Sequence, residues 1–164
     1  MEKVNDELIK KSESLVKVAR LYAIGTFNST FDRINILEKA NPKDWDFFIT
    51  VATVFITLSS FNRASTDEDL YKTVCQNIAE SLKDWHVQGI AAFDDCKLYF
   101  EKMYDHLLPY YQNEDKKYLS SDSIGSWVTI NVFHKIPVKD ERDLIRITGM
   151  ITHKFHDYWK IDLN

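Results

Sequence analysis

Glycine and proline are scarce, at four and three residues in 164. Sandwiches and barrels need many tight turns, which those residues supply, so both architectures are disfavoured. The same scarcity excludes a Gly-rich phosphate loop after a strand, and with it a dinucleotide-binding fold. Cysteine is limited to Cys75 and Cys96, with no Cys-x-x-Cys spacing. These two read as reduced thiols rather than as a disulfide framework or a zinc site. The first residues, MEKVNDELIKK, are charged and carry no apolar leader, so the expectation is a cytoplasmic protein. No serine or cysteine sits in a nucleophile elbow. No repeat, low-complexity segment or family-defining motif is present.

What is there points to an ordinary globular chain. Hydrophobic residues make up 45% and charged residues 28%, too apolar for a disordered segment. A chain of this length reads as one domain over residues 1–164 that buries about two-thirds of its unfolded surface. The net charge of −4 argues against general nucleic-acid binding.

The most apolar run is Asn41–Ala64, and no charge interrupts it from Phe47 to Phe61. Asn41 suits an N-cap, Pro42 the first helical position, Asp44 the first turn and Arg63 the last. The charge-free stretch falls short of the roughly 20 residues that cross a bilayer, so no membrane span is expected. Its many β-branched residues make a strand the competitor, but strands average about 5–6 residues and nothing breaks this run. Asp46, Thr50, Thr53, Thr57 and Ser60 recur at helical spacing, a hydroxyl stripe that lets a neighbouring helix come close. The alternative is a polar lining for a channel or cleft.

The other segments read as amphipathic helices laid against this one. Val4, Leu8, Leu15, Val18 and Tyr22 mark a helix over 4–24, with a kink or break at Gly25–Thr30 before Phe31, Ile34 and Leu37 or Glu38 resume the period. Ser65-Thr66-Asp67-Glu68 has the form of a capping box. A stripe then runs without loss of phase from Leu70 through Val74, Ile78, Leu82, Gly89 and Cys96 to Leu107. As one rod it would reach roughly 60 Å, against a radius of gyration of about 15 Å for such a domain. A break near His86–Gly89 is therefore expected, with an overhanging rod that supplies a homodimer seam as the alternative. Pro109 stops this stretch, and a polar loop follows over 112–121. Asp122 or Ser123 then caps a helix over Ile124–Phe133. Ile136-Pro137 breaks it, and Asp140 opens a last helix with Leu144, Ile147, Ile151, Phe155 and Tyr158 on one face. The expected fold is all-α, an irregular bundle of five to seven helices packed around a central apolar helix over residues 42–63.

Functional candidates are few. His153, His156 and Asp157, spaced i, i+3, i+4, could ligate a metal together with a distant group such as His106, but no matching Glu-x-x-His pattern completes the set. No metal or other cofactor is therefore expected, with a metal-dependent helical-bundle enzyme as the alternative. Both histidines fall off the apolar stripe and are expected to face solvent. The acids Asp84, Asp94, Asp95, Glu101 and Asp105 read as a solvated face. Arg142, Arg146, Gly149, His153 and Lys160 fall near one line on the last helix, opposite its apolar face. They form the candidate partner-binding strip, suited to an acidic protein surface or a phosphate-rich ligand. The leading reading is a small helical adaptor, inhibitor or immunity-type regulator that acts by surface contact. A small-molecule binder with a cleft between aromatic-rich helices is a further alternative, with Tyr110, Tyr111 and Trp159 as partly exposed aromatic candidates.

Overall fold

The computed structural model describes residues 2–34, 40–65, 67–134 and 142–161. Among them the fold is all-α, with helices α1 (Glu2–Ile34), α2 (Pro42–Ala64), α3 (Glu68–Trp85), α4 (Gly89–Leu107), α5 (Leu119–Phe133) and α6 (Arg142–His153). Single 3-10 turns lie at Leu108–Tyr110, Asp115–Tyr118 and Lys154–Asp157.

α2 starts as its sequence indicates: the Asn41 side chain accepts a hydrogen bond from the Lys43 N–H at 2.9 Å, and Pro42 opens the first turn. It touches all five other helices. Trp45, Ile49, Val51, Ala52 and Val54 have no exposed surface, as expected of a helix apolar on every side. By length and composition Pro42–Arg63 could also cross a bilayer, at a mean hydropathy of 1.3, so the shorter charge-free count understates it. Here 61% of that apolar window is buried in the bundle. The hydroxyl stripe is structural: Thr50 donates to the Asp46 carbonyl at 2.6 Å and Thr57 to that of Thr53 at 2.7 Å. With those hydroxyls turned into their own helix, the C-terminal segment seats on the stripe. Trp159 Nε1 donates to the Thr57 carbonyl at 2.7 Å, and Ser60 to that of His156 at 3.3 Å.

α1 runs through the expected break. A Cβ on Gly25 would meet nothing within 4 Å, so the glycine is tolerated rather than required. Thr26 and Ser29 turn their hydroxyls onto the carbonyls of Ala23 and Thr26, so neither competes with the helix ladder. Its closest packing uses small residues: Ser12, Ala19 and Ala23 are fully buried beside Leu15, whereas Val18, expected inside, is 38% exposed. Trp45 of α2 locks onto this face, donating Nε1 to the Ala23 carbonyl at 3.1 Å. Leu37 and Glu38 lie outside the described residues.

Asp67, not Ser65, caps α3; its carboxylate accepts from the Leu70 N–H at 3.0 Å. Ser65 closes α2 instead, with its N–H on the Phe61 carbonyl. Leu70, Val74, Ile78 and Leu82 are buried as the stripe requires. The chain breaks after Trp85, as expected, so α3 and α4 are separate helices and not one long rod. Gly89 permits the reversal, because a Cβ there would overlap the Leu82 carbonyl.

α5 begins five residues earlier than the sequence suggests, and Asp122 and Ser123 lie buried inside it rather than capping it. Much of the expected polar loop is a 3-10 turn that runs directly into α5. α5 ends at His134, which adopts left-handed φ 54°. The expected break at Ile136-Pro137 and start at Asp140 lie outside the described residues. α5 and α6 cross at two glycines: a Cβ on Gly125 would overlap the Ile145 carbonyl, and one on Gly149 that of Ser121. The C-terminal segment then closes on α1. Tyr22 donates to the Ile151 carbonyl at 3.0 Å, Tyr158 to that of Lys11 at 2.8 Å, and Lys11 Nζ to those of Tyr158 and Lys160 at 3.0 and 2.6 Å.

Candidate functional site

The side chains singled out on the last helix divide between two environments. Gly149 is buried at the α5–α6 crossing, so the strip does not lie wholly on the solvent side. The cause is size: Gly149 and Thr148 are small residues against which α5 approaches closely, and position on the line of basic residues alone placed Gly149 outside. Arg146 turns towards α5 and meets Asp122, with Nη2–Oδ2 at 2.9 Å and Nε–Oδ1 at 3.4 Å. Arg142 is exposed and lines a neighbouring hollow of about 370 Å³ with Tyr110 and Asp115. Lys160 is exposed and paired with Asp157. His153 is half-buried rather than solvent-facing. Its Nδ1 lies 2.9 Å from the Gly149 carbonyl, and burial lowers its pKa below the usual imidazole value.

Asp122 organises the surroundings. It is 5% exposed and takes hydrogen bonds from Arg146 and from the Tyr111 hydroxyl, the latter at 2.5 Å. Burial and that carboxylate push the Tyr111 pKa from 10.0 up to about 12. Tyr71, in α3, rises similarly to about 12 through burial and its neighbour Cys75. A folded-state pKa above the unfolded value means the folded state holds the proton more tightly. Their contribution is therefore complete below pH 10.0 and is lost as pH rises towards about 12. Unfolding midpoints measured across that range should fall with pH, and a Tyr111→Phe, Tyr71→Phe variant should flatten the decline. Asp122→Ala is expected to cost about 2–3 kcal/mol, below a fully buried pair because the stranded Arg146 can still reach water. Denaturant unfolding of the variant at neutral pH measures it, and an unchanged midpoint would show the triad to be ornamental.

The Arg146–Asp122 bond fixes a guanidinium 4.5 Å from the Tyr118 ring centroid, and the Lys117 ammonium lies 5.0 Å from the same ring. Beside Tyr118 opens a cleft of about 380 Å³ between the 3-10 turn before α5 and the end of α6. Its basic lining is Lys117, His153, Lys154 and His156, and no carboxylate is among the described residues that line it. At its edge Asp157 lies 3.1 Å from His156 and 2.5 Å from Lys160. Lys117 and Lys154 were not singled out in the sequence. They sit on different elements, and no spacing rule links them.

His106 is exposed beside Tyr110, and among the described residues no three His, Cys, Asp or Glu side chains are grouped to hold a metal. The acids of α4 are exposed as expected, although Asp95 also accepts from Trp127 Nε1 at 2.8 Å. The chain matches no family model, no curated protein and no solved structure.

Proposed function

We propose that this is a small cytoplasmic adaptor or regulatory protein that works by surface contact, docking the acidic surface of a protein partner on the basic cleft beside Tyr118. One observation carries the reading. On a chain of net charge −4, two lysines and two histidines line one open cleft, with no carboxylate among its described lining residues. Such a patch steers an acidic partner and orients it on arrival. Tyr118, held under Arg146 and Lys117, offers a rigid aromatic contact of the kind enriched at interfaces. The two free thiols fit a reducing compartment.

The test is charge reversal at Lys117 and Lys154, both exposed. A partner recovered by affinity capture should associate with the Lys117→Glu, Lys154→Glu variant at least about tenfold more slowly at low salt. The difference should shrink at physiological salt and above, where exposed charges are screened over about 8 Å. Stability should move by no more than about 0.5 kcal/mol. Equal association rates for variant and wild type at low salt would refute the reading.

A further inference from the structure

One side chain in the basic cleft has a charged form that the fold leaves without a partner. His153 turns Nδ1 onto the Gly149 carbonyl at 2.9 Å. A carbonyl oxygen only accepts, so Nδ1 carries the proton of the neutral ring. Nε2, on the opposite edge of the ring, then bears a lone pair, and that edge is what remains for the cleft that His153 lines. A lone pair repels a carboxylate oxygen. Nε2 can donate to an acid only in the imidazolium, and reaching that form takes a second proton.

The surroundings supply no counter-charge for that proton. Arg63 of α2 and His156 of the 3-10 turn after α6 both oppose a positive ring, and burial adds to them, so the free protein keeps His153 neutral at pH 7. Lys154 follows it in the chain, and Lys117 and Tyr118 stand across the cleft. Arg146, on the same helix, lies against the Tyr118 ring. The acids of this region are committed elsewhere: Asp157 to His156 and Lys160, Asp122 to Arg146 and Tyr111. His156 therefore already has its carboxylate, and His153 has none among the described residues. We propose that docking of an acidic protein surface on this cleft takes up one proton, at Nε2 of His153, so that the partner is held more tightly in mildly acidic than in alkaline solution. The inference rests on the cleft being the docking surface. A bound carboxylate favours the charged ring, so the complex holds the proton more tightly than the free protein does. Affinity then rises as pH falls through the pKa of the bound ring and levels off below that of the free ring. The partner's own carboxylates, which titrate near about 4, stay ionised throughout.

Calorimetric titration of the whole protein with an acetylated deca-aspartate peptide at low salt tests this. Kd should be about tenfold tighter at about pH 5.5 than at about pH 7.5. At about pH 6.5, heats measured in two buffers of different ionisation enthalpy should report uptake of about half a proton or more per complex. His153→Gln, which cannot take the proton, should abolish the uptake and bring the two affinities together. His106→Gln, on an exposed histidine outside the cleft, should keep both effects in full. The Lys117→Glu, Lys154→Glu variant locates the peptide and should weaken its binding at both pH values. Binding that this variant weakens but that takes up no proton in the unmodified protein leaves the docking surface standing and overturns the inference. That result needs no variant of His153, so it holds whatever such a variant does to the fold. Uptake left in place by His153→Gln overturns the assignment to that ring. No binding at either pH, or binding indifferent to the lysine reversals, removes the docking surface and the inference with it.

Discussion

Gly149→Ala should destabilise the protein by about 3 kcal/mol, although a glycine-to-alanine change inside a helix ordinarily stabilises by roughly 0.5–1 kcal/mol. The sign reverses because the new methyl would overlap the Ser121 carbonyl, a backbone atom that has no rotamer to escape into. α5 and α6 would have to separate, and their separation would also stretch the Arg146–Asp122 bond. Gly25→Ala is the internal control. It faces open space in α1 and should raise stability by up to about 1 kcal/mol. Denaturant midpoints of the two variants should move in opposite directions. A shift of both in the stabilising direction would mean that α5 and α6 do not cross this closely.

Val54→Asp should cost at least about 4 kcal/mol, a large fraction of the 5–15 kcal/mol that holds a typical domain together. Val54 has no exposed surface and packs with Leu15, Val16, Ala19, Phe61 and Val74, none of which can donate a hydrogen bond from its side chain. A carboxylate there must either stay protonated or open the cluster. Val54→Thr has nearly the same shape, and its hydroxyl can turn back to the Thr50 carbonyl, as those of Thr50, Thr57 and Ser59 do to the carbonyls four residues before them. It should cost about 1 kcal/mol. Thermal and denaturant unfolding distinguish the two, and an Asp variant as stable as the Thr variant would place Val54 at the surface.

Where the signal was local, the sequence sufficed. Asn41-Pro42 with a charge-free run behind it marks the start and the burial of α2, and the unbroken Leu70–Leu82 spacing marks α3. The break at Gly89 came from an argument about size rather than from any residue preference. The misread places share a cause, which is that their partners are distant. Gly25 and Gly149 are the same residue type in helices; one faces nothing and the other faces a carbonyl, and only the neighbouring helix decides which. Asp122, between serines after a polar stretch, has every attribute of a cap, yet its true partner is Arg146, 24 residues away. The basic cleft was half legible. His153 and His156 were singled out and Lys154 lies between them in the chain, but Lys117 joins them only through the α5–α6 crossing.

The bonds between Lys11 and Tyr158 have a kinetic side. They join residues 147 apart, so closing that loop is entropically unfavourable until the intervening helices have condensed. α5 and α6, adjacent in the chain, can pair early, whereas the start of α1 must wait for the C-terminal segment. The order reverses on the way out. In native-state hydrogen exchange, the first turns of α1 and the backbone around Tyr158 should lose protection together, in one opening smaller than global unfolding. The amides of α2, enclosed by every other helix, should exchange last.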